Sequence, residues 1–158
     1  MEVDERVAVE EKEGLLIAKG RISVPCLWAA GTVASKFFVA LRDDKKIYGI
    51  RCPKCNRVLV PPKKVCSRCF TELKEWVEVS DEGILETFTI VRYSEPSLHP
   101  VKAPFAYGII KLDGADTGIV HLIGEADFEQ LKEGMRMKAV FKEKREGNYL
   151  DIKYFKPI

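Results

Sequence analysis

Four of the five cysteines form two CxxC pairs, Cys52 with Cys55 and Cys66 with Cys69, and ten residues separate the pairs. A gap of two residues lets both sulfurs of a pair point at one centre, so two such turns complete a tetrahedral shell of four thiolates. The spacing predicts one structural zinc ion, with iron as the alternative ion for the same ligands. Because a closed shell leaves no position for water or substrate, we expect the function to be carried elsewhere in the chain.

The composition is that of a globular protein, with 158 residues of which 46% are hydrophobic and 32% are charged. No run of about 18 apolar residues is present, and the acidic start at residues 1–5 does not resemble a secretory leader. We therefore expect a cytoplasmic protein without a membrane span. In that reducing compartment CxxC pairs are more often metal ligands than disulfides. The fifth cysteine, Cys26, has no partner at ligand spacing and is predicted to be a packed, partly buried thiol.

The segment before the cysteines predicts a hairpin and one amphipathic helix. An apolar stretch bounded by glycines, residues 14–24, indicates a strand of a short hairpin. A helical pattern follows between Trp28 and Arg42, with Gly31 or Thr32 as its start. This helix has more apolar surface than a small ribbon can bury, so we expect it to pack on the rest of the chain or on another protein. Its apolar face comprises Leu27, Ala30, Ala34, Phe37, Phe38 and Leu41.

From Gly83 onward the apolar residues alternate with a period of two, which indicates β-strands. Five strands with a short helix between the third and the fourth match the order of an OB-type barrel. The predicted strands are 84–91, 105–112, 117–123, 135–144 and 149–155, and the predicted helix is 126–132.

The predicted fold class is mainly β with a short N-terminal helical segment, in which a rubredoxin-like zinc ribbon is followed by a five-stranded OB-type barrel. We divide the chain into an N-terminal hairpin and helix at 1–46, a zinc ribbon at 47–78 and an OB-fold domain at 79–158.

The order of these parts resembles a family long catalogued as a domain of unknown function, whose zinc-ribbon/OB-fold members are often found beside thiolases. The resemblance implies an accessory subunit of a thiolase-like acyl-CoA enzyme, of thiolase or hydroxymethylglutaryl-CoA synthase type, with anaerobic toluene breakdown as one known setting. It also implies that all four cysteines are zinc ligands, although Phe70 stands where such knuckles commonly have glycine. The motifs that carry the resemblance are Gly49–Cys55, Pro61-Pro62, Cys66–Cys69, Trp76 and Ala103–Tyr107.

No catalytic residues are predicted. His99 and His121 are the only histidines, and neither belongs to a recognisable acyl-transfer or metal motif. Thiolase chemistry needs a nucleophilic cysteine supported by histidine and an oxyanion hole. The resemblance and the absent catalytic set together predict a non-catalytic subunit of a hetero-oligomer, whose partner supplies the active site and whose ligand is an acyl-CoA thioester.

The ribbon carries six basic residues and no acidic one between Arg51 and Thr71. One explanation is that these charges balance the zinc thiolates and face solvent. The other is that they contact the phosphates of coenzyme A. The residues predicted for such a contact are Arg51, Lys63, Lys64 and Arg68.

The predicted interface with the partner protein consists of aromatic side chains on the helix and on the second barrel strand: Trp28, Phe37, Phe38, Phe105 and Tyr107. The second and third strands are apolar on both faces, so the N-terminal helix or a partner should cover the outer one. The alternatives are a single-stranded nucleic-acid-binding OB protein and a stand-alone acyl-CoA-binding protein. Nucleic acid is disfavoured because the third strand, 117–123, offers no aromatic residue for stacking.

Overall fold

The computed structural model describes residues 8–19, 25–94 and 101–158, and its architecture is mostly β with one α-helix. An antiparallel hairpin of β1 (Ala8–Lys12) and β2 (Leu15–Lys19) comes first. Its turn is formed by Glu13 and Gly14, both at positive φ. The predicted hairpin is therefore present, while residues 20–24 of the predicted strand segment lie outside the described residues.

Helix α1 (Gly31–Asp43) begins at Gly31, as the sequence predicts. Its Phe37 and Leu41 side chains are buried, and the helix packs against strand β3 (Ile47–Arg51). Part of the predicted apolar face thus packs on its own chain, whereas Leu27 and Ala30, which precede the helix, are exposed. Each large apolar side chain buried in this way contributes on the order of 1.5–3 kcal/mol to folding.

The zinc ribbon is built on a three-stranded antiparallel sheet. Strands β4 (Val58–Leu59) and β5 (Glu75–Val79) flank β3 in the order β4-β3-β5. Gly49 lies in β3 where β4 approaches closely, because a Cβ added there would be 2.6 Å from the Val58 Cγ1. The glycine is therefore needed for close packing of the two strands.

The second half of the chain is a closed five-stranded barrel with the strand order β10-β8-β7-β6-β9. Strands β9 and β10 pair antiparallel, and β10 meets β8 in parallel through one register pair, Phe155 with Ile123. The predicted OB-type barrel is confirmed. The strands are β6 (Glu82–Val91), β7 (Phe105–Leu112), β8 (Gly118–Ile123), β9 (Arg136–Phe141) and β10 (Ile152–Pro157).

One continuous apolar core runs from the helix through the base of the ribbon sheet into the barrel. Phe37 of α1, Val58 of β4 and Ile110 of β7 all belong to it. A second, smaller core surrounds the cysteines and includes Ile50 and Leu73. The division of the chain at residues 46 and 78 stays a prediction.

The predicted helix at 126–132 is wrong, since this segment forms a turn around Asp127. The Asp127 carboxylate accepts hydrogen bonds from the Glu129 N–H at 3.0 Å and from the Gln130 side chain at 2.8 Å. Such local bonds from an aspartate side chain compete with helix formation.

The fifth barrel strand begins at Ile152 rather than at Tyr149, because Tyr149–Asp151 form a single 3-10 turn. The Asn148 side chain accepts the Leu150 N–H at 2.8 Å, and the buried Asp151 carboxylate accepts the Gly147 N–H at 2.7 Å. These caps fix the loop between β9 and β10.

Thr117, immediately before β8, connects the barrel to the ribbon. Its Oγ1 accepts the Val60 N–H at 2.7 Å and donates to the Val60 carbonyl at 2.9 Å. The chain that leaves the first zinc knuckle is therefore held by the barrel. This contact fixes the position of the ribbon relative to β8.

Candidate metal centre and outer barrel face

The sulfur atoms of Cys52, Cys55, Cys66 and Cys69 all lie within 4.8 Å of one another. Those of Cys55 and Cys66 are 3.9 Å apart. Tetrahedral zinc with Zn–S bonds of about 2.3 Å separates its sulfurs by about 3.8 Å. The four predicted ligands are thus positioned to bind zinc, and in the described part of the chain no other such metal-binding group occurs.

The two knuckles that present the cysteines have the same backbone pattern. The Asn56 N–H donates to the Cys52 carbonyl at 2.8 Å, and the Phe70 N–H donates to the Cys66 carbonyl at 2.9 Å. Both Asn56 and Phe70 adopt positive φ, 58° and 54°. Asparagine tolerates this conformation better than most residues, whereas phenylalanine does not. Phe70 therefore keeps the knuckle geometry despite its side chain, and its ring is 83% exposed.

The chemistry of the thiols also fits a cation. Backbone N–H groups of Arg68 and Cys69 bond to the Cys66 sulfur and lower the pKa of that thiol to about 6. Burial, followed by the neighbouring sulfurs, raises the pKa of Cys69 to about 12. A divalent ion would remove this difference between the Cys66 and Cys69 thiols, because coordination deprotonates a thiol outright. Zinc bound here would hold the two knuckles together and would supply no open position for chemistry.

The basic residues of the ribbon differ in their availability. Arg51 is engaged, since its Nε donates to the Glu75 carboxylate at 3.0 Å and its guanidinium contacts Asn56 at 3.3 Å. Lys63, Lys64 and Arg68 are exposed and form no ion pair with the described residues. Three of the four predicted phosphate contacts are therefore free to meet an anion.

The predicted aromatic interface is partly corrected. Phe37 and Phe105 are 1% and 4% exposed, so these two side chains pack inside the chain and offer no surface to a partner. Phe38 and Tyr107 are half-buried. Trp28, which precedes α1, is 79% exposed. Of the five predicted interface residues, only Trp28, Phe38 and Tyr107 therefore have surface that a partner could contact.

The prediction for Cys26 is wrong, because this thiol is exposed. Residues 25–30 precede the helix and are exposed throughout, so the segment gives Cys26 no core to join.

An apolar surface on the barrel, here called the outer face, is formed by Tyr107, Ile109, Val120, Leu122 and Leu150. Cross-strand pairing sets Tyr107 beside Leu122 and Ile109 beside Val120. Val120 is 56% exposed, so the described chain leaves this face open. Two adjoining clefts on it, of about 230 and 340 Å³, have no lysine or arginine among their described lining residues. Apolar residues at both parities of the two strands indicate this face in the sequence, but Leu150 lies in a 3-10 turn, where no such alternation exists.

His121 lies beneath the outer face in a structural setting. Its ring is buried, stacks on Tyr149 at 5.3 Å and meets Phe155 edge-on at 5.8 Å. The Leu122 N–H donates to its Nδ1 at 2.9 Å, so the neutral Nε2–H tautomer fits this site. The other histidine, His99, lies outside the described residues.

Known proteins match both halves of the chain. The ChsH2 rubredoxin-like zinc ribbon domain matches residues 40–74, and the ChsH2 C-terminal OB-fold domain matches residues 76–142. A DUF35 domain-containing scaffold protein of Pyrococcus furiosus is 26% identical over 112 residues, which make up 71% of this chain and 80% of that protein. The predicted order of zinc ribbon and OB fold is confirmed.

Two solved structures have a similar fold. The Ltp2-ChsH2(DUF35) aldolase superposes with a TM-score of 0.58 at 18% identity, over 82% of this chain and 98% of that one. A DUF35-family protein of unknown function from Sulfolobus solfataricus has a TM-score of 0.56 at 26% identity, over 70% and 78% of the two chains. Among the described residues, no helix has the length and apolarity needed to cross a bilayer.

Proposed function

This chain carries, in order, the zinc ribbon and the C-terminal OB-fold domain of the ChsH2 family, and on that basis we propose that it is a non-catalytic zinc-binding subunit of an acyl-CoA enzyme. In this proposal it docks on a thiolase-fold protein in a hetero-oligomer and helps to form the acyl-CoA site. A relative named as a scaffold protein supports an accessory role. Thiolate ligands favour the reducing cytoplasm as its location.

The open outer face is the observation that carries the proposal. Val120 and Leu150, which are 56% and 45% exposed, continue an apolar surface with Tyr107, Ile109 and Leu122. A contiguous apolar patch of this kind on a folded protein is typical of an interface with another protein. The closed barrel holds the patch rigid, so little ordering entropy is lost when a partner covers it.

The same surface argues against single-stranded nucleic acid. OB folds that bind oligonucleotides combine stacking aromatics with a basic groove along strands two and three. Here the described residues that line the outer face include no cation, and the Tyr149 ring is already stacked on His121. A docked protein needs neither a basic groove nor free rings.

The ribbon is the part proposed to approach coenzyme A. Lys63, Lys64 and Arg68 are exposed and unpaired within the described chain, and they lie on the hairpin that carries the second knuckle. Lysine and arginine bind phosphate through charge and hydrogen bonds. Zinc would fix this hairpin, so the three cations would be held in place when a partner enzyme completes the site.

Co-purification with a panel of thiolase-fold proteins from the same genome tests the docking. We expect one of them to form a stable complex with the wild-type chain, and Val120→Asp to weaken that complex at least tenfold without lowering the thermal stability of the free subunit. Ile158→Asp is the control, because Ile158 is a 61% exposed aliphatic residue outside both the outer face and the ribbon. A wild-type chain that binds none of the panel, or a Val120→Asp complex of unchanged affinity, overturns the proposal.

A further inference from the structure

A second concave surface lies at one end of the barrel, apart from the metal centre. It is a cleft of about 360 Å³ between the segment that leads into β7 and the ends of β8 and β10. Small-molecule sites in proteins start at about 300 Å³. The cleft is lined by Val101, Lys102, Pro104, Phe105, Leu122, Ile123, Gly124, Phe128, Lys153 and Tyr154.

The apolar wall of this cleft is held in place by its own contacts. The Tyr154 hydroxyl donates to the Glu125 carboxylate, which also accepts the Lys156 ammonium at 2.9 Å. A Cβ at Gly124 would lie only 2.5 Å from the Tyr154 ring, so glycine is required for the ring to lie against the backbone there. Phe105 is almost completely buried. The wall is therefore formed before any ligand arrives.

The charged residues among the described lining of the cleft are both positive. Lys102 and Lys153 line it, both are exposed, and neither forms an ion pair with a described carboxylate. Lys153 lies instead over the Tyr154 ring, with its Nζ 5.2 Å from the centroid. No acidic residue is among the described lining residues, and the nearby Glu125 is occupied by Tyr154 and Lys156.

We propose that this cleft binds a small carboxylate with an apolar body. At about 30 Å³ per water-sized group, the volume accommodates roughly a dozen non-hydrogen atoms, the size of a medium-chain or aromatic acid. The apolar body would cover Phe128 and Tyr154, and the carboxylate would meet the two ammonium groups, which form charge-assisted hydrogen bonds. This site needs no partner enzyme, so it does not rest on the function proposed above.

Octanoate and 1-octanol are suitable probes, because they have the same chain and differ in charge. Each is titrated into the full zinc-loaded chain, and amide NMR shifts report the site of binding. We expect octanoate to bind at least tenfold more tightly than 1-octanol, with the largest shifts at Leu122, Ile123 and Gly124. Lys102→Glu with Lys153→Glu should weaken octanoate binding at least tenfold and leave 1-octanol within twofold.

The control is Lys111→Glu, which makes the same charge change at an exposed lysine outside the cleft. It should leave both ligands within twofold. The proposal is overturned if octanoate binds no more tightly than the alcohol, if the double variant binds it as well as the wild type, or if the shifts map to another surface.

Discussion

Asp116 binds Val58 through both its backbone and its side chain. The Asp116 N–H donates to the Val58 carbonyl at 2.8 Å, and its carboxylate accepts the Val58 N–H at 2.8 Å. Val58 follows the first zinc knuckle, while Asp116 lies in the turn between β7 and β8. Together with the adjacent contact of Thr117, this pairing joins the ribbon to the barrel.

Replacing Asp116 with alanine should loosen this junction. The Val58 N–H lies in a buried segment, so loss of its acceptor should cost about 1–3 kcal/mol in the free energy of unfolding. Hydrogen exchange of the Val58 amide should become faster than that of Leu85 in the barrel core. Asp116→Asn retains an acceptor oxygen and is the control. Equal protection of Val58 in all three proteins would show that the side chain does not hold the ribbon.

Cys52→Ser should release the metal and destabilise the ribbon. With one thiolate missing, the tetrahedral set is incomplete, and binding energy that contributes to folding is lost. We expect a loss of at least ~3 kcal/mol, which corresponds to a Tm about 6–12 °C lower in a protein of this size. Metal content by mass spectrometry and thermal unfolding measure the two effects. Cys26→Ser should change neither, since Cys26 is exposed and outside the cluster. Retention of a full equivalent of zinc by Cys52→Ser would contradict the ligand assignment.

Phe70→Gly should stabilise the zinc-loaded protein. Phe70 has φ of 54°, and its ring is 83% exposed, so removing the side chain relieves backbone strain and loses little packing. The expected gain is ~1 kcal/mol in chemical denaturation. Phe70→Ala retains a Cβ, and with it the strain, so its effect should stay within about 0.5 kcal/mol. A destabilised Phe70→Gly would mean that the ring supports the fold.

His121 should make stability depend on pH. Burial, first among the causes, lowers the pKa of His121 below its ordinary value of 6.5. In the pH range between the folded and unfolded pKa the unfolded chain binds more protons. The contribution of the neutral, buried His121 to the free energy of unfolding is therefore complete above about pH 6.5 and is lost as the pH falls below that value.

Urea unfolding at pH 7.5 and pH 5.5, with zinc retention measured at both, tests this dependence. One such group changes the free energy of unfolding by at most about 1.4 kcal/mol per pH unit. His121→Gln should show a smaller loss than the wild type, and His99, present in both proteins, cancels in the comparison. The same loss in both proteins would assign the dependence to other groups.

Local sequence signals predicted the parts of this protein whose geometry is set locally. The CxxC spacing predicted the ligand set, and the period-two pattern predicted the barrel strands. The helix predicted at 126–132 does not form. Its composition is helix-like and gives no sign that the Asp127 side chain would accept a hydrogen bond from the Glu129 N–H. Competing short-range hydrogen bonds of this kind leave no periodic signal.

Burial was harder to predict than secondary structure. Phe105 occupies an outward position of β7 and would be exposed in an isolated strand, but in the folded chain it is 4% exposed and its ring meets Tyr107 edge-on at 5.4 Å. For Cys26 the error was the opposite one. Cysteine is usually buried, but Cys26 is exposed and lies in the exposed segment 25–30. Both outcomes depend on tertiary neighbours that alternation along the strand does not encode.

The ladder between β8 and β10 is a seam in the barrel, since it consists of one register pair, Phe155 with Ile123, extended by the Gly124 N–H bond to the Phe155 carbonyl at 2.9 Å. Short ladders are where a folded protein opens locally first. The carboxylate cleft lies across this seam, with Ile123 on one strand and Tyr154 on the other. A ligand that contacts both strands would slow the opening, so the exchange rate of the Gly124 amide would report how much of the subunit is occupied.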